Sequence, residues 1–113
     1  MLMPPGYNHP ARVAERIATL DLVSAGRVEW GTGQVASAAE MGGFGIDPEQ
    51  RHPMWLEATT EAANMLVMDP YPGYQGKYFS MPCRNLVPKS LPWRSWAGCC
   101  RTPQCRPRRR RPA

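Results

Sequence analysis

Residues 8–33, Asn8-His9-Pro10-Ala11-Arg12-Val13-Ala14-Glu15-Arg16-Ile17-Ala18-Thr19-Leu20-Asp21-Leu22-Val23-Ser24-Ala25-Gly26-Arg27-Val28-Glu29-Trp30-Gly31-Thr32-Gly33, contain a helix, a stop signal and a strand in immediate succession. Pro10 suits the first helical position, and Asn8 or His9 stands where a cap belongs. Val13, Ile17 and Leu20 recur at i, i+4 and i+7, while Arg12, Glu15, Arg16 and Thr19 fall elsewhere, so one stripe of an amphipathic helix packs inward. Gly26 is a helix-ending glycine, and the helix is expected over 10–24. Arg27–Gly31 then places Val28 and Trp30 on one face of a short strand that ends in the turn Gly31-Thr32-Gly33. A helix followed at once by a strand is half of a βαβ repeat, which points to an α/β protein with a parallel sheet.

Downstream, residues 34–46 read as a loop with one helical turn near Ala36–Met41. Asp47-Pro48-Glu49-Gln50 has the form of a capping box, with Pro48 first in the helix and Gln50 reaching back. A helix over 48–68 follows, with Trp55, Ala58, Ala62, Met65 and Leu66 as its apolar stripe. Pro53 either kinks it or marks its effective start, because an interior proline costs about 3 kcal/mol. Asp69-Pro70 closes the helix. Gly76–Phe79 and Arg84–Val87 read as the strands of a hairpin around Ser80-Met81-Pro82.

With 113 residues the chain has room for one small domain, whereas a complete (α/β)8 barrel needs about 250. No window approaches the roughly 18 apolar residues of a membrane span, and the opening MLMPPGYNHP lacks the form of a signal peptide. A soluble, cytoplasmic protein is expected. The net charge of +5 is unevenly held. Residues 1–90 carry seven basic and nine acidic side chains, whereas 91–113 carry seven arginines and no acid. The expected division is a body over 1–90 and a basic, Arg/Pro/Cys-rich, disordered tail over 91–113.

Chemistry-bearing residues are sparse. His9 and His52 lie on different elements without a Cys or carboxylate at ligand spacing, and capping or surface roles suit both. Asp47 and Glu49 carry the ordinary acidic bias of a first helical turn. Cys99, Cys100 and Cys105 lack the paired spacing and histidine of a zinc site. Arg108–Arg111 can grip phosphates electrostatically without recognition geometry, which leaves a small basic-tailed binder of nucleic acid or acidic partners as the alternative reading. Gly31-Thr32-Gly33 is either a tight turn or a place where a phosphate approaches backbone N–H groups.

The run from Pro4 to Lys89 resembles the bacterial-luciferase-like family of flavin-dependent monooxygenases. It rests on an ordered set: the "HP-x-R-x-A-E" start at His9–Glu15, Thr19-Leu20-Asp21-Leu22-Val23-Ser24-Ala25-Gly26-Arg27, and the strand ending in Gly31-Thr32-Gly33. Gly43-Phe44-Gly45-Ile46-Asp47-Pro48, Trp55-x-Glu57-Ala58, Gly76-Lys77-Tyr78-Phe79, Met81-Pro82 and Arg84–Lys89 follow in family order.

The resemblance implies a partial (α/β)8 TIM barrel of about two βα units plus a hairpin. Residues 1–5 would end the third strand, 10–24 form the third helix, 27–31 the fourth strand and 48–68 the next helix. The hairpin near 76–88 would precede the fifth strand. It further implies an oxidoreductase that incorporates oxygen using reduced FMN, or in some branches a deazaflavin, with a flavin reductase and a small-molecule substrate as partners. The implied cofactor contacts are Gly31, Thr32, Gly33 and Gln34, at the C-terminal end of a barrel strand, and no catalytic or metal residue is implied. Gln34 stands where luciferase itself carries a basic residue. Early strands with contacts to the flavin ring are missing, so the piece is expected to be inactive alone and to self-associate through open sheet edges. After Lys89 the family pattern gives way to Ser90-Leu91-Pro92-Trp93-Arg94-Ser95-Trp96 and the arginine tail, the vocabulary of an off-frame reading of a GC-rich gene or of a genuine basic extension.

Overall fold

The computed structural model describes residues 1 and 4–90; the expectations for the tail, including disorder and the nucleic-acid alternative, fall outside the described residues. Helix α1 spans Pro10–Val23, α2 Ala38–Gly43 and α3 Arg51–Val67, followed by β1 (Tyr74–Gln75) and β2 (Ser80–Met81).

Helix α1 begins as its sequence dictates. His9 is the cap, its Nδ1 accepting from the Ala11 amide at 3.2 Å, and Pro10 is the first helical residue. The buried stripe differs from the expected one. Pro10, Val13, Ala14, Ile17, Ala18 and Asp21 face inward, while Leu20 is 54% exposed. Leu20 lies about 100° around the helix from Asp21, so the apolar stripe Val13/Ile17/Leu20 ends one residue early and a carboxylate takes its last inward position. The chain leaves the helix through Ala25 at φ 56° and Gly26 at φ 80°, with the Gly26 amide donating to the Asp21 carbonyl at 2.9 Å.

The expected strand over 27–31 does not form. Residues 27–32 carry no ladder, although burial alternates as a strand requires, with Val28 and Trp30 half-buried and Arg27 and Glu29 exposed. Among the described residues the inward face is present without a ladder over 27–32, and a β-bridge stands only further on, at Gly33; strand geometry becomes a ladder where a neighbour supplies backbone partners. Met1 is such a neighbour at the far end. Its amino nitrogen donates to the Gly31 carbonyl at 2.8 Å and its carbonyl accepts from the Gly33 amide at 3.0 Å, the alternation of a parallel pairing across Thr32.

Helix α3 starts three residues later than expected. Asp47–Gln50 is a turn in which the Asp47 carboxylate accepts from the Glu49 amide at 2.9 Å. Gln50 makes no side-chain cap; its Oε1 accepts instead from Lys77 Nζ at 2.9 Å and from the Tyr78 hydroxyl. A start at Arg51 puts Pro53 in the first turn, where an amide has no intrahelical acceptor and a proline costs nothing. Ala58, Ala62, Met65 and Leu66 form its buried stripe and pack on α1, with Trp55 partly buried at the edge. A second apolar cluster of Val35, Met41 and Ile46 lies under α2, which Ser37 caps through the Glu40 amide.

The hairpin exists with a different register. Tyr74 pairs with Met81 and Gln75 with Ser80, and Gly76–Phe79, expected as a strand, is the loop. Below it Tyr71 and Arg84 exchange backbone bonds of 3.2 Å each, so residues 84–87 contribute one bridge and no strand. Gly73 fixes this register: it has φ 87°, and a Cβ there would stand 2.8 Å from the Cys83 nitrogen. At Gly76 a Cβ would meet the ends of the Glu57 and Tyr74 side chains. Lys89 then reaches back to the end of α3, donating to the Met65 and Met68 carbonyls at 2.9 and 2.6 Å.

Candidate functional site

Residues 31–34 continue the 27–30 stretch; the expected turn Gly31-Thr32-Gly33 does not form, because Gly33 makes a β-bridge and neither glycine adopts a positive φ. Gly31 is exposed, and Thr32, Gly33 and Gln34 are half-buried. The structure keeps all four expected residues together, and the first turns of α3 hold two of their side chains. The Trp55 indole N–H donates to Thr32 Oγ1 at 3.1 Å, and the Gln34 carboxamide nitrogen lies 2.7 Å from His52 Nδ1. The His52 and Trp55 rings are neighbours, their centroids 5.4 Å apart.

His52 and Trp55 are the residues that sequence reasoning assigned elsewhere, the one to the surface and the other to the apolar stripe. A signal for Trp55 was present: a partly buried indole carries an N–H that needs an acceptor. Nothing in the local sequence pairs position 52 with position 34, since that contact is made by the return of the chain through α2.

The segment suits an anionic or polar group in three respects. No carboxylate belongs to it, its side chains are neutral and polar, and a Cβ on Gly31 would meet nothing within 4 Å, so the backbone can be approached from outside. These properties fit the phosphate end of a flavin. The aromatic-ring end would need contacts from elsewhere, because Thr32 and Gln34 already spend polar groups on α3.

The other carboxylates are structural. A cleft of about 430 Å³ beside α3 is lined by Pro53, Glu57, Glu61 and Tyr74 among others, and by none of Gly31–Gln34. Glu57 Oε1 accepts from the Tyr78 amide at 3.1 Å and so holds the hairpin loop. Glu61 accepts from the Tyr71 hydroxyl and from Asn64 Nδ2, the latter at 2.9 Å. Burial, then the hydrogen bond and charge of Glu61, push the Tyr71 phenol well above its ordinary range. Among the described residues there is no group of His, Cys, Asp and Glu side chains that could hold a metal ion, and no helix is long and apolar enough to cross a membrane.

Comparison with known proteins agrees with this architecture. The family described as luciferase-like monooxygenase matches residues 1–104. A curated relative from Sinorhizobium fredii (strain NBRC 101917 / NGR234), "Uncharacterized protein y4wF", is 34% identical over 95 residues, covering 80% of this chain and 25% of its own length. The crystal structure of monooxygenase RslO1 from Streptomyces bottropensis superposes with a TM-score of 0.73 at 21% identity, over 80% of this chain and 26% of that one. The chain thus spans about a quarter of the length of both. The fold is α/β, a partial TIM barrel, as the family resemblance implied.

Proposed function

The chain belongs to the luciferase-like monooxygenase family, and from that premise we propose that Gly31, Thr32, Gly33 and Gln34 form one section of a flavin pocket, contacting the phosphate end of reduced FMN or of a deazaflavin. The observation that carries this reading is the carboxylate-free segment 31–34 after the 27–30 stretch, fastened to α3 and approachable at Gly31. A barrel places its cofactor at the C-terminal ends of its strands, which is the place the resemblance gives this segment.

When bound, reduced flavin supplies the electrons with which molecular oxygen is divided between a small-molecule substrate and water. The residues at 31–34 bind and orient; among the described residues none beside them is placed as an acid, a base or a nucleophile. Thr32 and Gln34 hold the segment in shape, and the Gly31 backbone leaves the approach clear. A flavin reductase is the partner that supplies the reduced cofactor. The 113 residues hold flavin weakly and do not turn over alone, because they span about a quarter of the relatives' length.

Titration of the 113-residue chain with FMN and with riboflavin, followed by amide chemical shifts, tests this. FMN is expected to shift the amides of residues 31–35, riboflavin to shift them less, and Gly31→Ala to attenuate the FMN response without loss of helix content. Shifts of equal size for the two ligands, or shifts elsewhere only, sink the phosphate contact. Oxidation of reduced flavin faster than in free solution overturns the inactivity of the piece.

A further inference from the structure

We propose that Trp55 is a positioning residue: its indole N–H holds the extended Gly31–Gln34 segment in place, with His52 as a second point of attachment. The inference rests on the flavin reading above for its purpose, and on the geometry for its substance.

Glycines on both sides of Thr32 lose more conformational freedom on ordering than any other residue. The backbone bonds described for the segment run to Met1, and helix α3 adds side-chain ties to them. Thr32 and Gln34, at i and i+2, project to the same side, and His52 and Trp55, at i and i+3, share one helix face. The two spacings meet in register, giving the 3.1 Å indole bond and the 2.7 Å amide–imidazole contact. Trp55 is in turn packed against the main core, and the two rings contact each other, so neither anchor swings freely. A segment held this way meets a ligand in its bound shape and loses little entropy on binding.

The bland alternative is that the indole N–H merely finds an acceptor at a partly buried position. The full 113-residue chain separates the two, using Trp55→Phe, Thr32→Val and Thr32→Ser. Trp55→Phe keeps the ring and deletes the donor; Thr32→Val deletes the acceptor; Thr32→Ser restores it. In amide hydrogen exchange without flavin, positioning predicts a rise of about five- to tenfold for residues 31–35 in Trp55→Phe and Thr32→Val, the worth of one hydrogen bond. Exchange in α1 and in the second half of α3 should stay unchanged, and Thr32→Ser should stay near the parent. The double variant Trp55→Phe/Thr32→Val should be no worse than either single one. In the FMN titration Trp55→Phe should bind more weakly by a similar factor.

Unchanged exchange at 31–35 in Trp55→Phe overturns the proposal, as does a rise spread evenly through the helices, which is loss of fold. Absence of any FMN response in the parent chain, with the exchange pattern intact, sinks the flavin reading while the positioning role stands.

Discussion

Tyr71 and Glu61 meet in a buried hydrogen bond that joins the base of the hairpin to helix α3. The phenol is 1% and the carboxylate residue 8% exposed, and the hydroxyl donates to Glu61 Oε2 while Asn64 serves Oε1. The same tyrosine exchanges two backbone bonds with Arg84, so one residue secures the hairpin at both its side chain and its main chain.

Tyr71→Phe should therefore cost about 1–3 kcal/mol, since it leaves a buried carboxylate oxygen short of a donor. It should also change the alkaline limb of stability. The folded phenol titrates above its ordinary 10.0, so the folded state holds the proton where the unfolded state has lost it. The contribution is complete below about pH 10 and disappears as pH rises beyond that. Lys89, whose ammonium burial pushes down, works in the opposite sense. Urea midpoints from pH 8 to 11 check this: the parent should lose stability above pH 10 more steeply than Tyr71→Phe.

Lys89 closes the C-terminus of α3 through the Met65 and Met68 carbonyls. Lys89→Met keeps the aliphatic stem and removes the charge and its donors. A loss of about 1 kcal/mol is expected, with faster amide exchange confined to the last turn of α3.

Ala25 and Gly73 are opposite cases of left-handed backbone. Ala25 carries a Cβ at φ 56°, and Ala25→Gly should raise stability by about 0.5–1 kcal/mol, the relieved strain less the added freedom of the unfolded chain. Gly73→Ala should lower it by about 1–3 kcal/mol, because φ is 87° and the new Cβ meets Cys83 and Met81 backbone atoms. Thermal unfolding of both variants reads the two signs directly.

Ile17 and Leu20 test which stripe of α1 is the core. Ile17 is 2% exposed and Leu20 54%. Ile17→Ala should cost about 2–4 kcal/mol, and Leu20→Lys should stay within about 0.5 kcal/mol. Urea unfolding decides between them, and equal losses would mean that Leu20 is covered in solution.

The sequence alone determined the local structure of this protein. The His9 cap, Pro10 in the first helical position, the exit through Gly26 and the apolar stripe of α3 are decided by contacts within a few residues, and each stands where the pattern puts it. The ordered motifs from His9 to Lys89 also identified the family, and with it the α/β class. Pairing across the chain was decided by tertiary structure. Residues 27–31 have a strand's alternation and no ladder, because a ladder depends on what lies beside it. The hairpin register follows from Gly73 against the Cys83 and Met81 backbone, a contact that no periodicity encodes. The glycines at 31 and 33 read as a turn and the structure is extended there; that Trp55 and His52 hold this segment was not legible, since the chain brings positions 18 and 23 residues apart together only after α2 has turned it back. Short-range physics is written along the sequence. Which side chain satisfies a distant polar group depends on the packing of α1 against α3, which no local pattern carries.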